Sequence, residues 1–306
     1  MSKNVFLFSG QGSQYPGMGA ELIDRYAEAK EVFTEASDIL GFDLEDKCRN
    51  APAEELAKTV ISQPAIMAVS LAAFEAAKAN GIGFSAAAGH SLGEYAALVA
   101  CGIVSRADGF KLIKLRSEAM QRAAEGSDGA MYAIIGKDMT AVDKVCEETE
   151  GYVVPVNYNS AAQTVIAGDT AAAEKAAAKL AEMGYRAVKL NVSSAFHSKL
   201  MQPAAEEFLP KAKDFTFKIP ENVDFYSNLS GEKLTDFGSI ADRLAQHIVS
   251  PVKFTTELAN MQADGIDTYI ELGPGKVLSG LVKKTLKGVT ICNIEDNSSL
   301  DKAVAG

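Results

Sequence analysis

One stretch, "AAAGHSLGEYAALVACG" at residues 86–102, constrains this chain more than any other. Within it Gly89-His90-Ser91-Leu92-Gly93 forms a G-x-S-x-G pentapeptide. A serine in that setting can be presented on a sharp turn between a strand and a helix. Glycines flank it because the turn is strained and neighbouring backbone comes close. "FSAAAGHS" is the expected strand, a weak one because of its alanines, and "LGEYAALVACGIV" the expected helix. The competing reading is an innocent turn serine between two glycines, and the pentapeptide alone does not choose.

The rest of the chain alternates short apolar runs with helical patterns, which predicts an α/β fold. "NVFLFSG" reads as a buried strand, and "AIMAVSLAAFEAAKANG" as a long helix closed by glycine. "VDFYSN" and "DTYIELG" read as further strands. Both run into small or polar residues, where α/β sheets place their sites. Between Gly129 and Leu190 the order is "AMYAIIG" (strand), "MTAVDKVCEETEG" (helix), "YVVPVNYN" (strand), "QTVIAG" (strand), "TAAAEKAAAKLAEMG" (helix) and "RAVKLNV" (strand). That β-α-β-β-α-β order is ferredoxin-like. The expected organisation is a discontinuous large α/β domain, residues 1–126 and 192–306, with a ferredoxin-like subdomain at 127–191 inserted in it.

Composition narrows the function classes. A length of 306 residues accommodates one large domain plus a smaller insert. The net charge of −10 disfavours nucleic acid over the surface as a whole. Four scattered cysteines with no C-x-x-C pair suggest neither a disulfide framework nor a metal site. No run of about 18 apolar residues is free of charge, so no membrane span is expected. The apolar run near the N-terminus is too short for a signal peptide, which makes the cytoplasm the expected location.

A serine nucleophile needs a base, and the chain has three histidines: His90, His197 and His247. His90 lies inside the elbow and reads as a packing or turn residue. His197, in "AFHS" where the chain re-enters the large domain, is the candidate base. No Asp or Glu announces itself as the third member of a triad. In "GFKLIKLRSEAMQRA", Arg116 falls on the apolar stripe with Leu112 and Met120. A guanidinium there needs an anionic partner, either a core carboxylate or a substrate carboxylate held by its fork. The glycine-rich "FSGQGSQYPGMG" fails the dinucleotide fingerprint, since Tyr15 occupies the third glycine position. A turn there brings Gln11 towards Ser91 as a possible oxyanion donor.

Taken together, "GQGSQYPGMG", "SQPAI", "GHSLGEYAAL", "LRSEAM", "VNYNS…VIAG", "AFHS", "SPVKF" and "ELGPGKVL" occur in the order seen in malonyl-CoA:acyl-carrier-protein transacylases, which the whole chain resembles. The resemblance implies an α/β-hydrolase-like large domain with a ferredoxin-like insert. It implies Ser91 as nucleophile, His197 as base and Arg116 as carboxylate binder. It also implies an oxyanion hole from Gln11 and the Leu92 N–H. His197 would be oriented by a main-chain carbonyl near the "PV" segment, which explains the missing acid. Substrate contacts are expected from Arg116, Phe196, Met120 and His247. His247 stands where many bacterial members have Gln, and Phe196 favours malonyl over methylmalonyl. The substrates implied are malonyl-CoA and acyl carrier protein, with no bound cofactor, no metal and a monomer as the default.

Carrier proteins of this kind are acidic, so docking needs a local basic patch. Lys276, Lys283, Lys284 and Lys287, with Lys199 near His197, are candidates, Lys283 and Lys284 foremost; a solvated helix face is the plain alternative. Three other functions compete: a serine hydrolase, a non-catalytic carrier-protein binding module, and a discrete acyltransferase serving a polyketide assembly line.

Overall fold

The computed structural model describes residues 3–192 and 194–305. Its larger sheet contains β1 (Asn4–Phe8), β2 (Ala86–Gly89), β7 (Asp224–Ser227), β8 (Glu232–Lys233), β9 (Thr268–Leu272) and β10 (Thr290–Ile294). They lie in the order β10-β9-β1-β2-β7-β8, parallel except for the β8 edge. β1 is covered on both faces, which is why "NVFLF" is a continuous apolar run rather than an alternating one. The register sets Phe8 beside both Gly89 and Leu272. The loops after β1, β2 and β9 therefore leave the sheet at one level, on its carboxyl edge.

The second sheet holds β3 (Gly129–Ile135), β4 (Val153–Ser160), β5 (Gln163–Asp169) and β6 (Arg186–Lys189). Its order, β4-β5-β3-β6, is fully antiparallel and is that of a ferredoxin-like unit. The Thr170–Glu182 helix lays Ala172, Ala173, Ala176, Ala177 and Leu180 onto it. Its outer Lys175 and Lys179 pair with Glu150 and Glu148. β4 is tied to the segment between the Ile240–Ile248 and Phe254–Ala263 helices where Val252 bridges Asn157, with Tyr158 N–H donating to Val252 O at 2.9 Å and Val252 N–H to Val156 O at 2.8 Å. This is the "SPVKF" segment, and Lys253 N–H donates to Asn228 O just past β7 at 3.0 Å, so the strand bearing Asn157 and Asn159 is fixed to the larger domain.

Several boundaries differ from the sequence reading. The long helix spans Thr59–Ala79 and starts well before Ala65, with Pro64 inside it. Proline forfeits one helical hydrogen bond, but this helix is buried along most of its length and packing outweighs the loss. By length and apolarity it would cross a membrane; it is instead a core helix. The helix after Ser91 covers only Gly93–Ala100, because Gly102 turns the chain at φ 69°. The "MTAVDKVCEETEG" helix shrinks to Val142–Glu148, since Asp138 accepts from both Thr140 N–H and its hydroxyl and holds a turn there.

Candidate active site

Ser91 sits at φ 56°, a left-handed conformation that a serine adopts only when its surroundings impose it. The flanking glycines are steric necessities. A Cβ on Gly89 would lie 1.9 Å from the carbonyl carbon of Gly93, and one on Gly93 would lie 2.2 Å from Phe8 O. A Cβ on Gly10 would lie 2.7 Å from His90 O, so the loop carrying Gln11 also packs directly on the elbow. His90 N–H donates to Phe8 O and Gly93 N–H to His90 O, at 3.0 Å each, and Ser91 N–H to Asn228 Oδ1 at 2.7 Å. The Leu92 N–H, at the head of the Gly93–Ala100 helix, has no partner among the described residues.

Ser91 Oγ lies 2.7 Å from His197 Nε2. The opposite ring nitrogen, Nδ1, donates to His247 O at 2.9 Å and to Ser250 O at 3.2 Å. Two carbonyls fix the proton on Nδ1, which leaves Nε2 free to accept the serine proton. Burial, then His247 and Arg116, push His197 well below the usual histidine value, so the neutral base form dominates near neutral pH. His197 also has φ 60°, a second left-handed residue at the same centre.

Arg116 enters from the Arg106–Glu125 helix and is 1% exposed. Its Nη1 donates to Gln63 Oε1 at 2.8 Å and its Nη2 to Ser91 Oγ at 3.0 Å. The guanidinium lies 5.6 Å from the Tyr95 ring centre. It forms no ion pair among the described residues. A core salt bridge is therefore not its purpose: Glu94 acts on the guanidinium electrostatically but makes no contact with it, and a buried cation stands beside the nucleophile without a paired carboxylate.

Ser91 and His197 lie on the floor of a cleft of ≈ 420 Å³ between the two sheets, while Arg116 is buried beneath its lining and meets it through Ser91 Oγ. Gln11, Ser91, Met120, Phe196 and His197 line one side; Met131, Asn157, Asn159 and Val165 line the other. A larger groove of ≈ 590 Å³, walled by Phe74, Ile82, Phe84 and Val99, contains none of the candidate residues. His90 does line the cleft, with Nε2 2.7 Å from Asn159 Oδ1 and its ring edge-on to Phe254.

One expectation needs correction. His247 is not a substrate contact: its side chain is 2% exposed, lies behind His197, and places Nδ1 2.7 Å from Glu94 Oε2. Only its carbonyl faces the site, and a carbonyl is available whatever the side chain. The candidate docking lysines are spread along the Val277–Thr285 helix, with Lys276 at its head. Glu271 takes the N–H groups of Leu278 and Ser279 at 2.9 and 2.7 Å, which anchors the start of the Val277–Thr285 helix at the sheet's carboxyl edge. Lys283 and Lys284 are exposed in its last turn, about 10 Å further along the axis than Lys276 at 1.5 Å per residue. Lys199 is closer to the centre, with Nζ 3.9 Å from the Tyr152 ring centre.

The sequence reading missed Asn228 and Glu94. Asn228 accepts from Ser91 N–H, donates through Nδ2 to Gly89 O at 2.6 Å and to Glu257 Oε2 at 2.8 Å, and donates its own N–H to Glu94 Oε1 at 2.7 Å. Burial and the nearby Glu94 push the Glu257 carboxyl well above the usual carboxylate range. The signals were present as charged or polar residues in apolar surroundings: Glu94 in "GEYAALVA", and Asn228 at the end of "VDFYSN".

A parallel α/β sheet that presents a strained serine to a buried histidine, next to unengaged backbone amide, defines a serine-centred acyl-transfer enzyme. The acyl transferase domain family matches residues 5–302, and the chain belongs to it. It is 40% identical to the malonyl CoA-acyl carrier protein transacylase of Bacillus subtilis (strain 168), over 99% of this chain and 97% of that protein. The structure of the corresponding transacylase from Clostridium perfringens superposes with a TM-score of 0.94 at 41% identity, covering 99% of this chain and 96% of that one. A malonyl-transacylase solved in complex with a type II polyketide acyl-carrier protein superposes at 0.95 with 36% identity, each chain 99% covered.

Proposed function

We propose that this chain transfers a malonyl group from malonyl-CoA to the phosphopantetheine thiol of an acyl carrier protein, through a malonyl ester on Ser91. The unpaired Arg116 guanidinium carries the reading. It is buried, 3.0 Å from the nucleophile, and its planar fork matches the free carboxylate of a malonyl group. A neutral acyl group would leave that cation without a carboxylate to pair with.

His197 Nε2 takes the Ser91 proton as Oγ attacks the thioester carbonyl. The Leu92 N–H and Gln11 receive the oxyanion. Collapse expels the CoA sulfur, which regains a proton from His197, and leaves malonyl-Ser91. The carrier-protein thiol then gives its proton to His197 and attacks the ester, and the proton returns to Ser91 Oγ. Arg116 holds the malonyl carboxylate through both halves, while Met120 and Phe196 wall the cleft.

The solved complex with a polyketide carrier protein supports a second reading of the acceptor, a polyketide rather than a fatty-acid carrier protein, with the same chemistry. Intact mass after brief mixing with malonyl-CoA tests the mechanism. One malonyl group is expected on the wild type and none on Ser91→Ala. CoA release with no adduct on the wild type would instead make the chain a hydrolase.

A further inference from the structure

The base is oriented by carbonyls, and carbonyls point where their turn points. His197 Nδ1 is gripped by the carbonyls of His247 and Ser250, at the end of the Ile240–Ile248 helix and just beyond it. This turn is itself held by the His247 side chain, whose Nδ1 lies 2.7 Å from Glu94 Oε2, with both side chains almost fully buried. The other oxygen of Glu94 accepts Asn228 N–H at 2.7 Å, and Asn228 Oδ1 accepts Ser91 N–H at 2.7 Å. The path closes on itself: Ser91 Oγ to His197, to the 247 carbonyl, through the His247 ring to Glu94, to Asn228, and back to Ser91 N–H.

We infer that His247 and Glu94 are positioning residues for the dyad, tying the base-orienting turn to the nucleophile elbow through one buried hydrogen-bonded ring. Neither touches the acyl group. His247 Nε2 is buried without a partner among the described residues, so Glu94 is the contact that fixes the orientation of the ring. The groups around the pair are His197, at 5.0 Å between ring centres, His90 on the elbow, Arg116 and Tyr95 on the Glu94 side, and Glu257 from the Phe254–Ala263 helix behind Asn228. Glu94 lies one helical turn after Ser91, so moving its carboxylate moves both ends of the ring.

The inference rests on the acyl-transfer reading, and the test separates the two. Rapid-quench acylation of Ser91 by malonyl-CoA is measured for the wild type, His247→Ala, His247→Gln, Glu94→Gln and the double variant His247→Ala/Glu94→Gln. His247→Ala is expected to slow acylation about 10- to 100-fold, the scale of losing an outer orienting partner, with KM for malonyl-CoA little changed. His247→Gln keeps a donor that reaches Glu94 and recovers most of that loss. The double variant falls no further than the worse single, as expected for members of one ring. Full-rate acylation by His247→Ala overturns the inference, as do equal losses in His247→Gln and His247→Ala, or additive losses in the double. Should His247→Ala fail to fold, His247→Gln and Glu94→Gln decide: unchanged rates in both overturn it. A wild type that forms no malonyl adduct defeats the acyl-transfer reading instead.

Discussion

Replacing Arg116 by alanine separates two roles that its geometry combines. The guanidinium is 1% exposed and forms no ion pair among the described residues. A malonyl carboxylate would meet an almost fully desolvated cation in fork geometry. Removing one partner of such a pair costs about 2–5 kcal/mol, which is about 30- to 5,000-fold in kcat/KM for malonyl-CoA. Acetyl-CoA offers no carboxylate and leaves the cation unpaired, so its kcat/KM is expected to hold or rise in Arg116→Ala. The assay is stopped-flow CoA release with each thioester, reported as the malonyl-to-acetyl ratio. Arg116→Lys, which keeps charge but loses the fork, should fall between. Arg116 Nη2 also donates to Ser91 Oγ at 3.0 Å. If both substrates lose the same factor, the arginine serves the serine and not the carboxylate, and the argument from the unpaired charge is refuted.

Three other outcomes follow from the geometry. The acid limb of kcat/KM for acylation should lie below the usual histidine value of about 6.5, because burial and the neighbouring His247 and Arg116 disfavour protonation of His197 and its base form persists until the pH drops past that lowered value; a pH–rate profile with its acid limb above that value contradicts this. Gly93→Ala drives a Cβ to 2.2 Å from Phe8 O, so its thermal unfolding should show a loss of at least about 1–3 kcal/mol, the scale of overpacking. Glu257 has a raised pKa in the fold, so the native state holds a proton that the unfolded chain releases as pH rises, and native stability is lost in that direction. Glu257→Gln removes the linkage, and its stability relative to the wild type should improve with pH by up to about 1.4 kcal/mol per unit between the unfolded and folded values; a pH-independent difference in urea melts would count against a neutral Glu257.

Much of the architecture was legible because its signals are local. A continuous apolar run marks β1, an alanine-rich stripe with charges outside marks the Thr170–Glu182 helix, and the β-α-β-β-α-β order marks the second sheet. G-x-S-x-G is legible for the same reason, since its glycines answer clashes with atoms a few residues away or on the adjoining strand. Helix ends were less legible. Tertiary burial carries the Thr59–Ala79 helix through Pro64, and a side-chain turn at Asp138 shortens the Val142–Glu148 helix.

Ser91, His197 and Arg116 stand out in the sequence by residue type and periodicity, but their meeting within 3.0 Å does not. They come from a strand end, a re-entrant loop and a helix, and only the sheet register and the stitch at Val252 set them around one cleft. Asn228 and Glu94 were legible only as polar residues in apolar surroundings, and the carbonyls that hold His197 only through the family resemblance, for a stricter reason. A hydrogen bond between groups more than a hundred residues apart leaves no periodic trace in a single chain, and a backbone carbonyl carries no residue identity at all. The local sequence determined which elements form and which side chains carry chemistry. The tertiary structure decided what each of them faces, because direction and distance at a site are properties of packed elements and not of the order of residues along the chain.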